Sequence, residues 1–306
     1  MTHCLICGGT RFRRYAPDFY KLEDQHYGLS ECTGCGFVFV QPWPTAEQIA
    51  GMYSGNYHQE CFDSGLSDGG YFENERKLLR RYEEVVHRIE RRGGSGRLLD
   101  VGCAGGLLLS VAREHGFRPE GVEICPEMAQ QAREHSGCPV HTGTVESVGL
   151  DEGAYDVVFM GHVLEHVTDP HRMLRAARRA LSDDGLLAVE VPSFINSFYY
   201  RGLRAFYRIA PVKPLPMFKI VPAGKHLKPY HLLEFTPKTL RMLLGQEAFT
   251  IVGKHHAIPM PDCVLGVPKT LTGWLLKPAF MILHLLTKVG FRGGSFTLFA
   301  RKTKDK

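Results

Sequence analysis

The run Leu98-Leu99-Asp100-Val101-Gly102-Cys103-Ala104-Gly105-Gly106-Leu107 constrains this 306-residue chain more than any other. Apolar residues that read as a buried strand end in an acid, pass through a glycine-rich turn and enter an apolar run with helical spacing. Glycines there permit a tight reversal and let a ligand approach the backbone where a side chain would collide. A dinucleotide fingerprint, G-x-G-x-x-G, would need glycine at 104 and 107. The chain has Ala104 and Leu107 instead. An acid at the strand tip would repel a pyrophosphate and suits a ligand that carries positive charge.

Strand and helix patterns alternate from this point on. A helix over residues 107–115 is followed by expected strands at 117–123, 139–141, 155–160, 186–191, 250–255 and 295–301. A helix is expected over 172–181, and another starts with Thr236 as cap and Pro237 in its first turn. With the strand before Gly102 the count is seven, and the alternation predicts an α/β fold, a doubly wound, seven-stranded, Rossmann-like sheet. The fourth strand, Tyr155 to Met160, runs into Gly161-His162-Val163-Leu164-Glu165-His166. Helical spacing would place His162, Glu165 and His166 on one face, at the carboxyl edge where open α/β sheets bind ligands.

The acid-x-Gly-x-(Gly/Ala)-x-Gly pattern of Asp100, Gly102, Ala104 and Gly106 resembles motif I of class I S-adenosylmethionine (SAM) methyltransferases. Residues 121–128 resemble the family's next segment, and residues 161–170 closely resemble motif IV of its small-molecule members. The resemblance implies a SAM site lined by Asp100, Gly102, Cys103, Ala104, Gly106, Glu123, Ile124, Thr144, Val145 and His162. Glu123 would accept the ribose hydroxyls, and the 142–146 loop would sit beside the adenine, with Thr144 where many relatives carry Asp. Since the sulfonium is already a good leaving group, catalysis in such enzymes is mostly positioning. A hydroxyl acceptor still needs a base, and the candidates are His162, Glu165, His166 and His231.

A divalent metal that lowers the hydroxyl's pKa is the other route. Quinone-pathway O-methyltransferases and small-RNA terminal methyltransferases use a Glu-x-x-Glu-His run plus a later histidine as ligands. Here His162-x-x-Glu165-His166 and His231 resemble that set, with His162 in place of the first Glu.

At the start of the chain, Cys4-x-x-Cys7 and Cys32-x-x-Cys35 form paired knuckles, each followed by glycine. Two close thiolate pairs on tight turns fit tetrahedral zinc, and four-cysteine ligation leaves no open position for chemistry. The site is therefore expected to be a structural zinc ribbon. Cys61, Cys103, Cys125, Cys138 and Cys263 form no spaced cluster, and most of them read as buried thiols. The ribbon and the aromatic run after it resemble bacterial methyltransferases with an N-terminal zinc ribbon. Sugar C-methyltransferases also begin with such a module, but carry a further C-terminal domain that this length does not hold.

The expected organisation is a ribbon at 1–45, a helical linker or lid at 46–95 and the SAM-dependent domain at 96–306. Residues 194–232, aromatic, basic and proline-broken, lie where these enzymes insert substrate lids. Residues 270–290 are apolar but interrupted by Lys277 and Pro278, too short to span a bilayer. They would form an extra helix packed on the core or on a partner, or touch a membrane surface peripherally. The net charge of +5 is spread over separate clusters, and a nucleic-acid acceptor would require a continuous basic track with stacking aromatics. No secretory leader precedes Cys4, so the expected location is cytoplasmic, with peripheral contact to the inner membrane face if 270–290 binds lipid. No oligomeric state is legible. The expected function is methyl transfer from SAM to a small molecule, most specifically a hydroxyl of a sugar-containing or lipid-linked metabolite. A zinc-ribbon rRNA methyltransferase and a non-catalytic SAM-binding scaffold are the alternatives.

Overall fold

The computed structural model describes residues 1–52, 75–193, 228–257 and 295–304. Most of the expected lid at 194–232, the apolar run at 270–290, Cys61 and Cys263 lie outside the described residues. The N-terminal elements are strands β1 (Phe12–Leu22), β2 (Gln25–Cys32) and β3 (Val38–Gln41), then helices α1 (Ala46–Met52) and α2 (Glu75–Glu90). The alternating part follows as β4 (Arg97–Val101), α3 (Leu107–Glu114), β5 (Arg118–Glu123), α4 (Pro126–Ser136), β6 (Val140–Thr142) and β7 (Tyr155–Gly161). It continues through a short 3-10 turn (Leu164–His166), α5 (Pro170–Ala180), β8 (Leu181–Pro192), β9 (Leu233–Glu234), α6 (Pro237–Gln246), β10 (Phe249–Ala257) and β11 (Ser295–Lys302).

The main sheet has the order β10-β11-β8-β7-β4-β5-β6. β8, β7, β4, β5 and β6 run parallel, whereas β11 is antiparallel to both β8 and β10. Strand periodicity divides the apolar side chains between two faces. Leu98, Val157 and Phe159 pack with Val85, Val86 and Ile89 of α2 and Leu108 and Val111 of α3. Leu99, Val101, Val158 and Met160 point the other way, into a core shared with Met173, Leu174 and Ala177 of α5 and Leu240 and Leu243 of α6. The sheet is thus covered on both faces, the doubly wound Rossmann-like arrangement that the alternation predicts.

Two boundaries differ from the sequence reading. α5 starts at Pro170, because Asp169 caps it by accepting from the Arg172 N–H at 2.9 Å and Pro170 fills the first turn. β8 begins at Leu181, ahead of Asp183-Asp184-Gly185, and absorbs that turn as a register shift against β7 between Tyr155 and Val157. The Thr236 cap and Pro237 stand as expected, with Thr236 and Thr239 bonded reciprocally in a capping box.

The N-terminal strands form a second sheet of order β1-β2-β3-β9, so the ribbon is completed by a strand from the far side of the chain. Its cysteines and Ile6, Phe37 and Phe39 belong to the same apolar core as α5 and α6. The first knuckle is also gripped by polar side chains. His171 Nε2 donates to the Leu5 carbonyl at 2.7 Å while its Nδ1 lies 2.6 Å from Glu247 Oε1, and Gln246 donates to the Ile6 carbonyl at 2.7 Å.

Candidate active site

At the carboxyl end of β4 the chain turns through left-handed residues, Gly102 at φ 77°, Ala104 at φ 46° and Gly106 at φ 80°. Space as well as φ demands glycine at two of them. A Cβ at Gly102 would stand 2.4 Å from Val163 Cγ2, and one at Gly106 would stand 2.9 Å from the Ala132 carbonyl oxygen. The loop therefore packs against both the motif IV turn and α4.

Asp100 at the strand tip is buried, and that burial, followed by the field of Glu123, pushes its carboxyl up to about 8. Glu123 closes β5 and accepts from the backbone N–H groups of Ala104 at 3.0 Å and Cys125 at 2.9 Å, bracing the glycine loop. The Gly143 N–H donates to the Glu123 carbonyl at 2.8 Å and so brings the 142–146 loop alongside. Ile124 is 56% exposed beside Glu123, whereas Val145 is buried and the Thr144 N–H donates to Ser147 Oγ. Cys103 is a buried thiol, as its sequence context leads one to expect. Its side chain packs in a buried cluster with Leu109, Ala129, Ala132, Cys138 and Val140, so only its backbone belongs to the loop surface.

The motif IV residues converge, but not on one helical face. Only Leu164–His166 are helical, and His162 precedes them with φ 56° and its N–H on the Glu190 carbonyl at 2.9 Å. The His162 ring stands between two acids, Nε2 at 3.2 Å from Glu190 Oε1 and Nδ1 at 3.3 Å from Glu165 Oε1. Burial opposes charge on this ring, but Glu165 and Glu190 outweigh it and hold its pKa at about 9.

Glu165 is fully buried, and neither of its oxygens accepts a hydrogen bond from the described residues. His166 Nδ1 donates to the Tyr230 carbonyl at 2.8 Å, which leaves the Nε2 lone pair 3.8 Å from Glu165 Oε1. Burial lowers the His166 pKa to about 4, so the ring is neutral at pH 7. The His231 ring meets His166 edge-on at a centroid distance of 4.9 Å. One ligand atom from each of Glu165, His166 and His231 falls within 4.8 Å of the others. A buried carboxylate that accepts no hydrogen bond and faces a neutral imidazole lone pair, with His162 as its ion-pair neighbour, is a donor set that fits a divalent cation. His162 is not part of this set, because both its ring nitrogens already face carboxylates.

His231 is held from two sides. The Leu232 N–H donates to the Glu165 carbonyl at 2.9 Å, and the Leu232 carbonyl accepts from Val40 of β3 at 3.0 Å. The ribbon strand therefore supports the segment that brings His231 to His166.

Glu190 and Arg81 were not singled out in the sequence. Glu190 is buried at the end of β8 and contacts Arg81 Nη2 at 2.5 Å, His162, and the Thr297 hydroxyl at 3.2 Å. Burial favours its proton, but Arg81 and His162 outweigh that and hold its carboxyl well below the usual range. The one acid within the apolar run Leu186 to Val191 was the available signal. Nothing in the sequence pointed to Arg81 as its partner, 109 residues upstream.

The four ribbon cysteines gather as expected. Cys4 and Cys35 sulfurs lie 3.6 Å apart and those of Cys7 and Cys32 3.5 Å apart, all four thiols being free. Those separations exceed a disulfide bond and approach the roughly 3.8 Å between sulfurs of a tetrahedron with zinc–sulfur bonds of about 2.3 Å. Both knuckles share one hydrogen-bond pattern, Cys4 N–H to Gly9 O with Gly8 N–H to Cys4 O, and Cys32 N–H to Phe37 O with Gly36 N–H to Cys32 O. The residues present fit a zinc ion.

Residues 72–243 match a family model described as a methyltransferase domain. A ubiquinone biosynthesis O-methyltransferase of Xanthomonas euvesicatoria pv. vesicatoria is 32% identical over 152 residues, which cover 48% of this chain and 59% of that protein. The corresponding protein of Haemophilus ducreyi is 32% identical over 152 residues, covering 45% and 61%. The chain thus spans about three fifths of the length of these curated relatives. Among solved structures, the 1,6-didemethyltoxoflavin-N1-methyltransferase of Burkholderia thailandensis, with bound 1,6-didemethyltoxoflavin and S-adenosylhomocysteine, superposes with a TM-score of 0.52 at 17% identity. That match covers 93% of this chain and 99% of that one, and at such identity it speaks for the fold. The family match spans more than half of the chain and contains the glycine loop, Glu123 and the motif IV residues, so the chain belongs to the methyltransferase domain family, with the class I fold.

Proposed function

We propose that the protein transfers a methyl group from SAM to a hydroxyl of a small molecule, in the finer reading a sugar-containing or lipid-linked metabolite. The observation that carries the hydroxyl chemistry is the convergence of buried Glu165 with neutral His166 and with His231 beside the SAM loop. The name O-methyltransferase borne by the curated relatives supports oxygen as the acceptor atom. In this reading Asp100, Gly102, Ala104, Gly106, Glu123, Ile124, Thr144 and Val145 surround the cofactor, together with the backbone of Cys103. Asp100 supplies negative charge near the cofactor's cationic end, and Glu123 accepts from the ribose hydroxyls. Transfer is in line, so these residues act chiefly by orientation.

Glu165, His166 and His231 would hold a divalent metal, which when bound lowers the pKa of an acceptor hydroxyl. His166 presents its Nε2 lone pair because Nδ1–H is committed to Tyr230, and that single lone pair serves one of two routes: it binds the metal or, with no metal bound, accepts the acceptor's proton directly. His162, fixed by Glu190 and Glu165, walls the site between Gly102 and β8. Zinc on Cys4, Cys7, Cys32 and Cys35 holds the ribbon in shape and takes no part in transfer.

The test of the acceptor class is incubation with isotopically labelled SAM and a metabolite extract, followed by mass spectrometry of the labelled product. Label in an alkali-stable ether of a sugar-containing or lipid-linked compound supports the reading. Label on nitrogen or carbon, or in RNA, overturns it.

A further inference from the structure

We propose that His87, Glu90 and His115 form a separate, solvent-accessible binding site for a divalent transition metal, which clips α2 to the end of α3. One ligand atom from each residue lies within 4.8 Å of the others. His87 and Glu90 are one turn apart on α2, the i,i+3 spacing that puts two side chains on the same face. His115 ends α3 and is fixed by its own backbone, whose N–H donates to the Val111 carbonyl at 3.1 Å.

The side chains are already oriented. His87 Nδ1–H donates to the Glu83 carbonyl at 2.8 Å, which commits that nitrogen and leaves the Nε2 lone pair outward. A histidine whose second nitrogen is held by a backbone carbonyl has the outer-shell support that metal-ligating imidazoles generally have. The His115 ring meets the His87 ring edge-on at 4.8 Å and 76°, and its Nδ1 lies 3.0 Å from Glu90 Oε1. Small side-chain rotations would bring the three donors from this spacing to coordination distance. Two imidazoles and one carboxylate select Zn2+, Ni2+ or Cu2+ over Mg2+ or Ca2+, which prefer all-oxygen sets. The remaining positions are open to water, so the ion would exchange freely.

The same helix reaches Glu190 through Arg81, six residues before His87 and about 9 Å along the axis at 1.5 Å per residue. A metal here would therefore steady the helix whose other half braces the candidate active site. The proposal does not rest on methyl transfer.

Isothermal titration of the zinc-loaded protein with Ni2+ tests it, with His87→Ala, His115→Ala and His166→Ala compared with the unaltered chain. We expect His87→Ala and His115→Ala each to lose one Ni2+ equivalent, or to bind it at least about tenfold more weakly. His166→Ala should keep that equivalent. Ni2+ should also raise the thermal midpoint of the unaltered chain more than that of His115→Ala. Identical Ni2+ stoichiometry and affinity in His87→Ala, His115→Ala and the unaltered chain would overturn the proposal, as would no binding to any of them.

Discussion

Asp100 and Gly106 show how much a single position decides. The folded protein holds the proton of Asp100 up to about pH 8, against an ordinary value of 3.8. With its pKa raised by folding, protonated Asp100 contributes stability that is complete below about pH 4 and lost as pH rises through about 8. A cationic cofactor beside it should expel that proton. SAM affinity is therefore expected to rise from pH 6 to pH 8 by as much as about tenfold per pH unit, which calorimetry across that range would measure. Asp100→Asn should flatten the dependence. Gly106→Ala places a Cβ 2.9 Å from the Ala132 carbonyl at φ 80° and should cost about 1–3 kcal/mol in denaturant unfolding, with weaker SAM binding. Glu190→Gln leaves Arg81 and His162, each about a third exposed, without their buried anion. We expect a loss of about 1–3 kcal/mol in the same measurement, and a fall in kcat exceeding any change in KM for SAM.

At the scale of elements, the glycine loop, its acid and the cysteine knuckles were legible because each is local: a few consecutive residues determine the turn and the chemistry. The motif IV geometry was only half legible. His162, Glu165 and His166 do converge, but through a left-handed residue and a single 3-10 turn, since Gly102 packs on Val163 and the His162 N–H bonds Glu190. The β3–β9 pairing was not legible at all, because β9 is two residues long and its partner lies nearly two hundred residues away. That pairing makes the ribbon a support for His231. Cys32→Ser, or removal of zinc by a strong chelator, should lower the thermal midpoint and diminish methyl transfer while SAM binding persists. Far-ultraviolet circular dichroism, calorimetry and a transfer assay on one preparation would check it, and unaltered transfer after verified zinc loss would contradict it.

In the whole molecule, one sheet carries the glycine loop after β4, Glu123 at the end of β5 and the acid–histidine cluster after β7, with β8 supplying Glu190. The ribbon sheet, α5 and α6 share one core, so the N-terminal module is built into the fold rather than appended to it. No helix among the described residues is long and apolar enough to cross a membrane. The central claim is that Glu165, His166 and His231 carry hydroxyl chemistry next to bound SAM. Its most direct test measures SAM binding and labelled methyl transfer together for the unaltered chain and His166→Ala. We predict unchanged SAM affinity with a loss of about 10²–10⁴-fold in transfer rate. Transfer by His166→Ala at the unaltered rate, with SAM bound equally well, would contradict the account.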